Sequence, residues 1–114
     1  MTTRNWTKVR ALLLKAEAGE LTKSYVLSLD QDDQWHVVYL DSYGLIANSV
    51  DGVGEVADGY AVTDYGSFYL EKLRDEAVFT SAIANIREEF PEPAPILSGR
   101  LFLEIARIRQ ENQG

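Results

Sequence analysis

Residues 24–40 read Ser-Tyr-Val-Leu-Ser-Leu-Asp-Gln-Asp-Asp-Gln-Trp-His-Val-Val-Tyr-Leu, and the fold turns on whether this stretch is extended or helical. Tyr25, Leu27 and Leu29 alternate, and residues 35–40 are rich in aromatic and β-branched side chains, which predicts two strands. Asp30-Gln31-Asp32-Asp33 between them is acidic and turn-prone, so the pair reads as an antiparallel hairpin with a loop longer than two residues.

Downstream, a turn at residues 41–44 leads into a short third strand at 45–47. Two Asp-Gly dipeptides, Asp51-Gly52 and Asp58-Gly59, punctuate the chain before an apolar run at 60–63 that predicts a last strand. Upstream, Trp6, Val9, Leu13 and Ala16 recur at helical spacing, with Asn5 or Thr7 as the cap and Gly19 just beyond the end.

After the strands, Thr63 or Asp64 can cap a helix carrying Tyr65, Tyr69, Leu70 and Leu73. Phe79, Ala82, Ile83, Ile86 and Phe90 mark an amphipathic helix with Asp75 or Thr80 upstream. A stiff connector, Pro91-Glu92-Pro93-Ala94-Pro95, separates it from a last helix running from Ser98 through Gln110. Consecutive short strands with no helix between them favour an α+β fold: an N-terminal helix, a three- to four-stranded antiparallel sheet, and two to three C-terminal helices packed on one face. With 114 residues and 46% apolar content the chain reads as a single domain, 1–114, with 1–4 and 111–114 frayed.

Charge is distributed unevenly. The 48 residues between Lys23 and Lys72 hold no Lys or Arg but nine acids, while the flanks carry all eleven basic residues and the other nine acids, so the centre is −9 and the flanks +2. Such a field repels nucleic acid and attracts basic partners. All six tyrosines, residues 25, 39, 43, 60, 65 and 69, lie in this same segment. Tyrosine with carboxylates and no lysine makes a surface suited to a partner's arginines. Sheet faces also bury aromatic rings, so half or more of these belong in the core, and Tyr39 and Tyr43 are the best candidates for exposure.

Other chemistry finds little support. There is no cysteine and one histidine, so a structural zinc site is not expected. His36 has no local nucleophile or orienting carboxylate and reads as a strand-face histidine. Asp30, Asp32 and Asp33 resemble the start of a calcium loop, but its sixth position is Trp35 rather than Gly and its twelfth is Asp41 rather than Glu. Asp51, Glu55 and Asp58 would repel phosphate from the glycine-rich stretch around them. No cofactor is expected. The start of the chain lacks an apolar stretch of signal-peptide length and no segment approaches a membrane span, which predicts a cytoplasmic protein.

Val62, Thr63, Asp64 and Gly66, at the junction of a strand and a helix, resemble the Thr-Asp-x-Gly hallmark of an uncharacterised prokaryotic domain family found in bacterial and phage genomes. The resemblance implies a fold and a bacterial or phage setting, with no activity attached. The same stretch is similar to the end of a winged helix, but a DNA-reading helix needs Lys and Arg, which the centre of this chain lacks.

These readings converge on a small acidic protein-binding module, not an enzyme, of the inhibitor, immunity-type or nucleic-acid-mimic kind. It would occupy a basic protein surface, such as that of nucleic-acid-handling machinery, without touching nucleic acid or membrane. The predicted partner-binding residues are Asp30, Asp32, Asp33, Asp41, Tyr43, Asp51, Glu55 and Asp58. One alternative is a small hydrolase-like enzyme using carboxylates or His36 in a tyrosine-lined pocket. The other is a homodimeric structural module.

Overall fold

The computed structural model describes residues 3–50 and 56–113, with the side chains of 49, 50 and 56–58 left aside. The elements in order are α1 (Trp6–Glu17), α2 (Lys23–Ser28), α3 (Gln31–Ser42), β1 (Ile46–Val50), β2 (Val56–Val62), α4 (Asp64–Leu73), α5 (Glu76–Glu89) and α6 (Ser98–Gln113). The fold is α+β, mostly helical, and the chain forms two compact units, Met1–Leu70 and Glu71–Gly114.

The predicted hairpin at 24–40 is absent, and both of its strands are helices, α2 and α3. Local hydrogen bonding decides the matter. Thr22 accepts the Tyr25 amide on its hydroxyl at 3.1 Å, and Asp30 accepts the Asp33 amide on its carboxylate at 2.8 Å, so each residue satisfies an otherwise orphaned donor of a first helical turn. Asp32 and Asp33 then stand where the positive end of the helix dipole favours carboxylates. Asp30-Gln-Asp-Asp is therefore a cap and first turn rather than a hairpin loop. In α3 the buried residues are His36, Val37 and Leu40, one helical face, whereas α2 buries none and leaves Leu27 77% exposed.

Among the described residues the sheet has two antiparallel strands instead of three or four, with Ile46 opposite Val62 and Asn48 opposite Tyr60. The expected strands at 45–47 and 60–63 overlap these two, but β2 starts at Val56 and runs through Asp58-Gly59, which the sequence presents as a turn. A single bridge joins Thr22 to Gly59 beside them, and the Tyr60 amide donates to the Leu21 carbonyl at 3.0 Å. The first unit buries Trp6, Val9, Leu12, Leu13 and Ala16 of α1 with Leu21, Val37, Leu40, Leu45 and Ile46, and α1 packs on both α3 and β2.

The Thr-Asp-x-Gly stretch has a clear physical role. The Thr63 amide donates to the Leu45 carbonyl at 3.1 Å, its hydroxyl donates to the Gly44 carbonyl at 2.5 Å, and that same hydroxyl accepts the Gly66 amide at 3.0 Å. Thr63 thus ends β2, starts α4 and ties both to the turn before β1. Gly66 lies so close to the Leu45 carbonyl that any Cβ there would collide with it.

In the second unit α5 packs on α6. Asp75 caps α5 by accepting the Val78 amide at 3.1 Å. Val78, Phe79, Ala82 and Ile86 of α5 are buried, as are Leu101, Ile105 and Ile108 of α6. The connector is fixed to α5 by Arg87, whose Nη1 donates to the carbonyls of Phe90 at 3.1 Å and Ala94 at 2.5 Å. Helix α6 runs to Gln113, three residues past its predicted end.

Candidate functional site

The predicted partner-binding residues divide into four groups. Asp30 is committed to capping α3. Asp32 and Asp33 hold the Lys8 ammonium of α1, Asp33 at 2.8 Å and Asp32 in a still shorter contact. Asp32, then Asp33, by hydrogen bonding to this ammonium, push the Lys8 pKa up, and Lys8 in turn pulls the Asp32 carboxyl down. Two of the acids therefore already have a cation. Asp41 and Tyr43 are exposed at the end of α3. Asp51 and Glu55 lie outside the described residues, and Asp58 lies in β2 with its side chain not described.

Helical spacing, which the strand reading could not supply, assembles the aromatic residues. Trp35, Tyr39 and Tyr43 follow one another at intervals of four along α3 and so share a face. Their rings form a ladder, with Trp35 stacked on Tyr39 at 5.5 Å and 20°, and Tyr39 tilted on Tyr43 at 4.7 Å and 37°. The outer rungs face solvent, Tyr43 65% and Trp35 36% exposed. Val38 beside them is also exposed.

The ladder extends onto the other helices of the same unit through a cation. The Arg4 guanidinium lies 4.6 Å from the Trp6 ring centroid and 5.7 Å from that of Tyr39, within cation–π range of both. Its Nη1 also donates to the Tyr39 hydroxyl at 2.6 Å. Behind Trp6, Tyr69 stacks at 6.5 Å, and Tyr65 meets Tyr69 edge-on at 5.0 Å with their hydroxyls 3.1 Å apart.

His36 is helical and fully buried, in place of the predicted strand-face position. Its Nε2 accepts the Asn5 amide at 2.8 Å and its Nδ1 donates to the Asp32 carbonyl at 2.8 Å, which fixes the tautomer. Both ring nitrogens are engaged by backbone, so neither is positioned as a general base.

The second unit carries an apolar cleft of about 240 Å³ lined by Ile86, Phe90, Pro95, Ile96, Leu97 and Arg100. It contains no tyrosine, histidine or carboxylate, unlike the pocket that the hydrolase alternative requires. The Arg100 guanidinium is held by Glu89 and Glu104, each at 3.1 Å. Glu104 is buried and also receives hydrogen bonds from Arg107 and from Asn85. Chiefly the Arg107 hydrogen bond, assisted by Asn85 and Arg100, outweighs burial and holds its carboxyl at about 2. Among the described residues, no group of three or more His, Asp or Glu side chains is placed to hold a metal ion, and no helix is long and apolar enough to cross a membrane.

The chain matches no family model, no curated protein and no solved structure.

The residues that local reading missed are Arg4, Trp6 and Lys8. All three precede the acidic segment, and no spacing rule links them to Tyr39 or Asp32 across more than twenty residues of chain.

Proposed function

We propose that the protein is a small cytoplasmic binding module, of the inhibitor or immunity type, whose first unit docks on a basic protein surface. One observation carries this reading: the stacked Trp35–Tyr39–Tyr43 ladder ends in solvent-exposed rings within a stretch of 48 residues that has no lysine or arginine. Exposed Tyr and Trp provide large contact areas at low conformational cost, and the surrounding negative field accelerates encounter with a basic partner. The acids that serve this role are those not already engaged, Asp41 foremost, with Asp30, Asp32 and Asp33 adding to the field.

The reading is tested by titrating the protein with a defined lysine- and arginine-containing peptide at low salt and again at ~0.5 M, where exposed charge pairs are strongly screened. Binding at low salt that is lost at high salt, and weakened in Y43A and D41N but not in E88Q of the second unit, is the expected result. A peptide that fails to bind at low salt, or that binds all three variants alike, removes the reading.

A further inference from the structure

Arg4 already shows what the aromatic face of the first unit holds. Its planar guanidinium lies over the Trp6 ring and reaches the hydroxyl end of Tyr39, to which it donates. This uses three properties that an ammonium does not combine: a flat face for stacking, weak hydration, and donors projecting in the plane. The walls are held in place from behind. Trp6 is buried and backed by Tyr69, while Tyr39 is clamped between Trp35 and Tyr43. The occupant comes from residue 4, two positions before the first helix, a short segment attached through the Asn5 amide to His36.

From this geometry we infer that Trp6 and Tyr39 form a guanidinium site, filled in cis by Arg4, which an arginine of the docking partner enters by displacing it. The inference rests on the reading of this unit as a dock for a basic partner, and it names the group that the partner supplies. Charge favours the encounter. The incoming arginine arrives in the field of an acidic segment with no cation of its own, and the exposed rings of Trp35 and Tyr43 flank Tyr39 to receive the rest of the partner's chain. Arg4 then acts as a built-in competitor that sets a threshold for binding.

The test uses the full chain and its R4A variant, with methylguanidinium and methylammonium as probes followed by nuclear magnetic resonance of the indole and tyrosine ring protons. R4A is expected to bind methylguanidinium in preference to methylammonium, with shifts at Trp6 and Tyr39, and to lose that preference when Y39F removes the hydroxyl. The wild type, with its site filled, should respond less. An arginine-rich peptide should bind R4A about two- to thirtyfold more tightly than wild type, the range spanned by one cation–π contact from exposed to desolvated. R4K, a poorer competitor that keeps the charge, should fall between the two and serves should R4A fold poorly. No preference for methylguanidinium, or an arginine-peptide affinity that R4A and R4K leave unchanged or lower, overturns the inference. If lysine-rich and arginine-rich peptides bind wild type equally, the guanidinium site is overturned while docking on a basic partner stands.

Discussion

The backbone amide of Asn5 donates to Nε2 of His36 at 2.8 Å while the Asn5 side chain accepts the Lys8 amide at 3.2 Å. One residue therefore caps α1 and attaches its start to the middle of α3. Replacing His36 by Phe keeps a flat ring, somewhat larger than the imidazole, but leaves the Asn5 amide and the Asp32 carbonyl without this partner. The expected loss is about 1–3 kcal/mol of stability, because unpaired polar groups bear their full desolvation cost. Urea unfolding followed by far-ultraviolet circular dichroism checks it, and an unchanged midpoint in H36F would show that the tie carries no stability.

Two glycines should respond to alanine with opposite signs. At Gly66 an added methyl meets the backbone carbonyl of Leu45, which cannot move without disturbing the Thr63 bond, so G66A should destabilise by at least about 2 kcal/mol. At Gly99, in the first turn of α6, a Cβ meets nothing within 4 Å, and G99A should stabilise by about 0.5–1 kcal/mol by stiffening the unfolded chain and raising helix propensity. Thermal unfolding of the two variants side by side decides the point.

The Glu104 carboxyl is held at about 2 in the folded state against an ordinary value of 4.5, chiefly by Arg107. A folded value below the unfolded one means that stability from this group is complete above pH 4.5 and is lost as pH falls toward 2. E104Q should flatten that acid limb and, at neutral pH, cost about 2 kcal/mol through the charge-assisted hydrogen bonds it loses. Unfolding midpoints at neutral pH and at several points down the acid limb, for wild type and variant, measure both effects.

Asp30 separates capping from docking. D30A should lower stability by about 1 kcal/mol, the usual cost of a lost N-cap, whereas D30N and D30S should retain most of it. Circular dichroism melts of the three variants test the cap without reference to any partner.

Where apolar spacing was regular, local reading placed the elements well. Trp6, Val9, Leu13 and Ala16 mark α1, Phe79, Ala82 and Ile86 mark α5, and of the cap candidates Asn5 or Thr7 and Asp75 or Thr80, Asn5 and Asp75 are the caps. Residues 24–40 misled for identifiable reasons. Helix α2 is too short to show a helical period and buries nothing, so the alternation of Tyr25, Leu27 and Leu29 had no competing pattern. Helix α3 places apolar residues both inside, at Val37 and Leu40, and outside, at Trp35 and Val38, which blurs its period. Aspartate serves hairpin turns and N-caps equally well, and only the geometry at Asp30 distinguishes them. The aromatic site was partly visible, through Tyr39 and Tyr43, but its other wall and its cation come from residues 4 and 6, which only tertiary structure brings to α3.

The placement of the rings has a practical outcome for anyone who follows this protein in solution. Both tryptophans and all six tyrosines fall within Met1–Leu70, while Glu71–Gly114 has only phenylalanines. Emission excited near 295 nm, where indole alone absorbs, therefore originates in the first unit alone, whereas the amide signal comes from the helices of both. Transitions that coincide by the two probes mark one cooperative system, and an amide transition that continues after the emission has levelled off is the separate melting of α5 and α6.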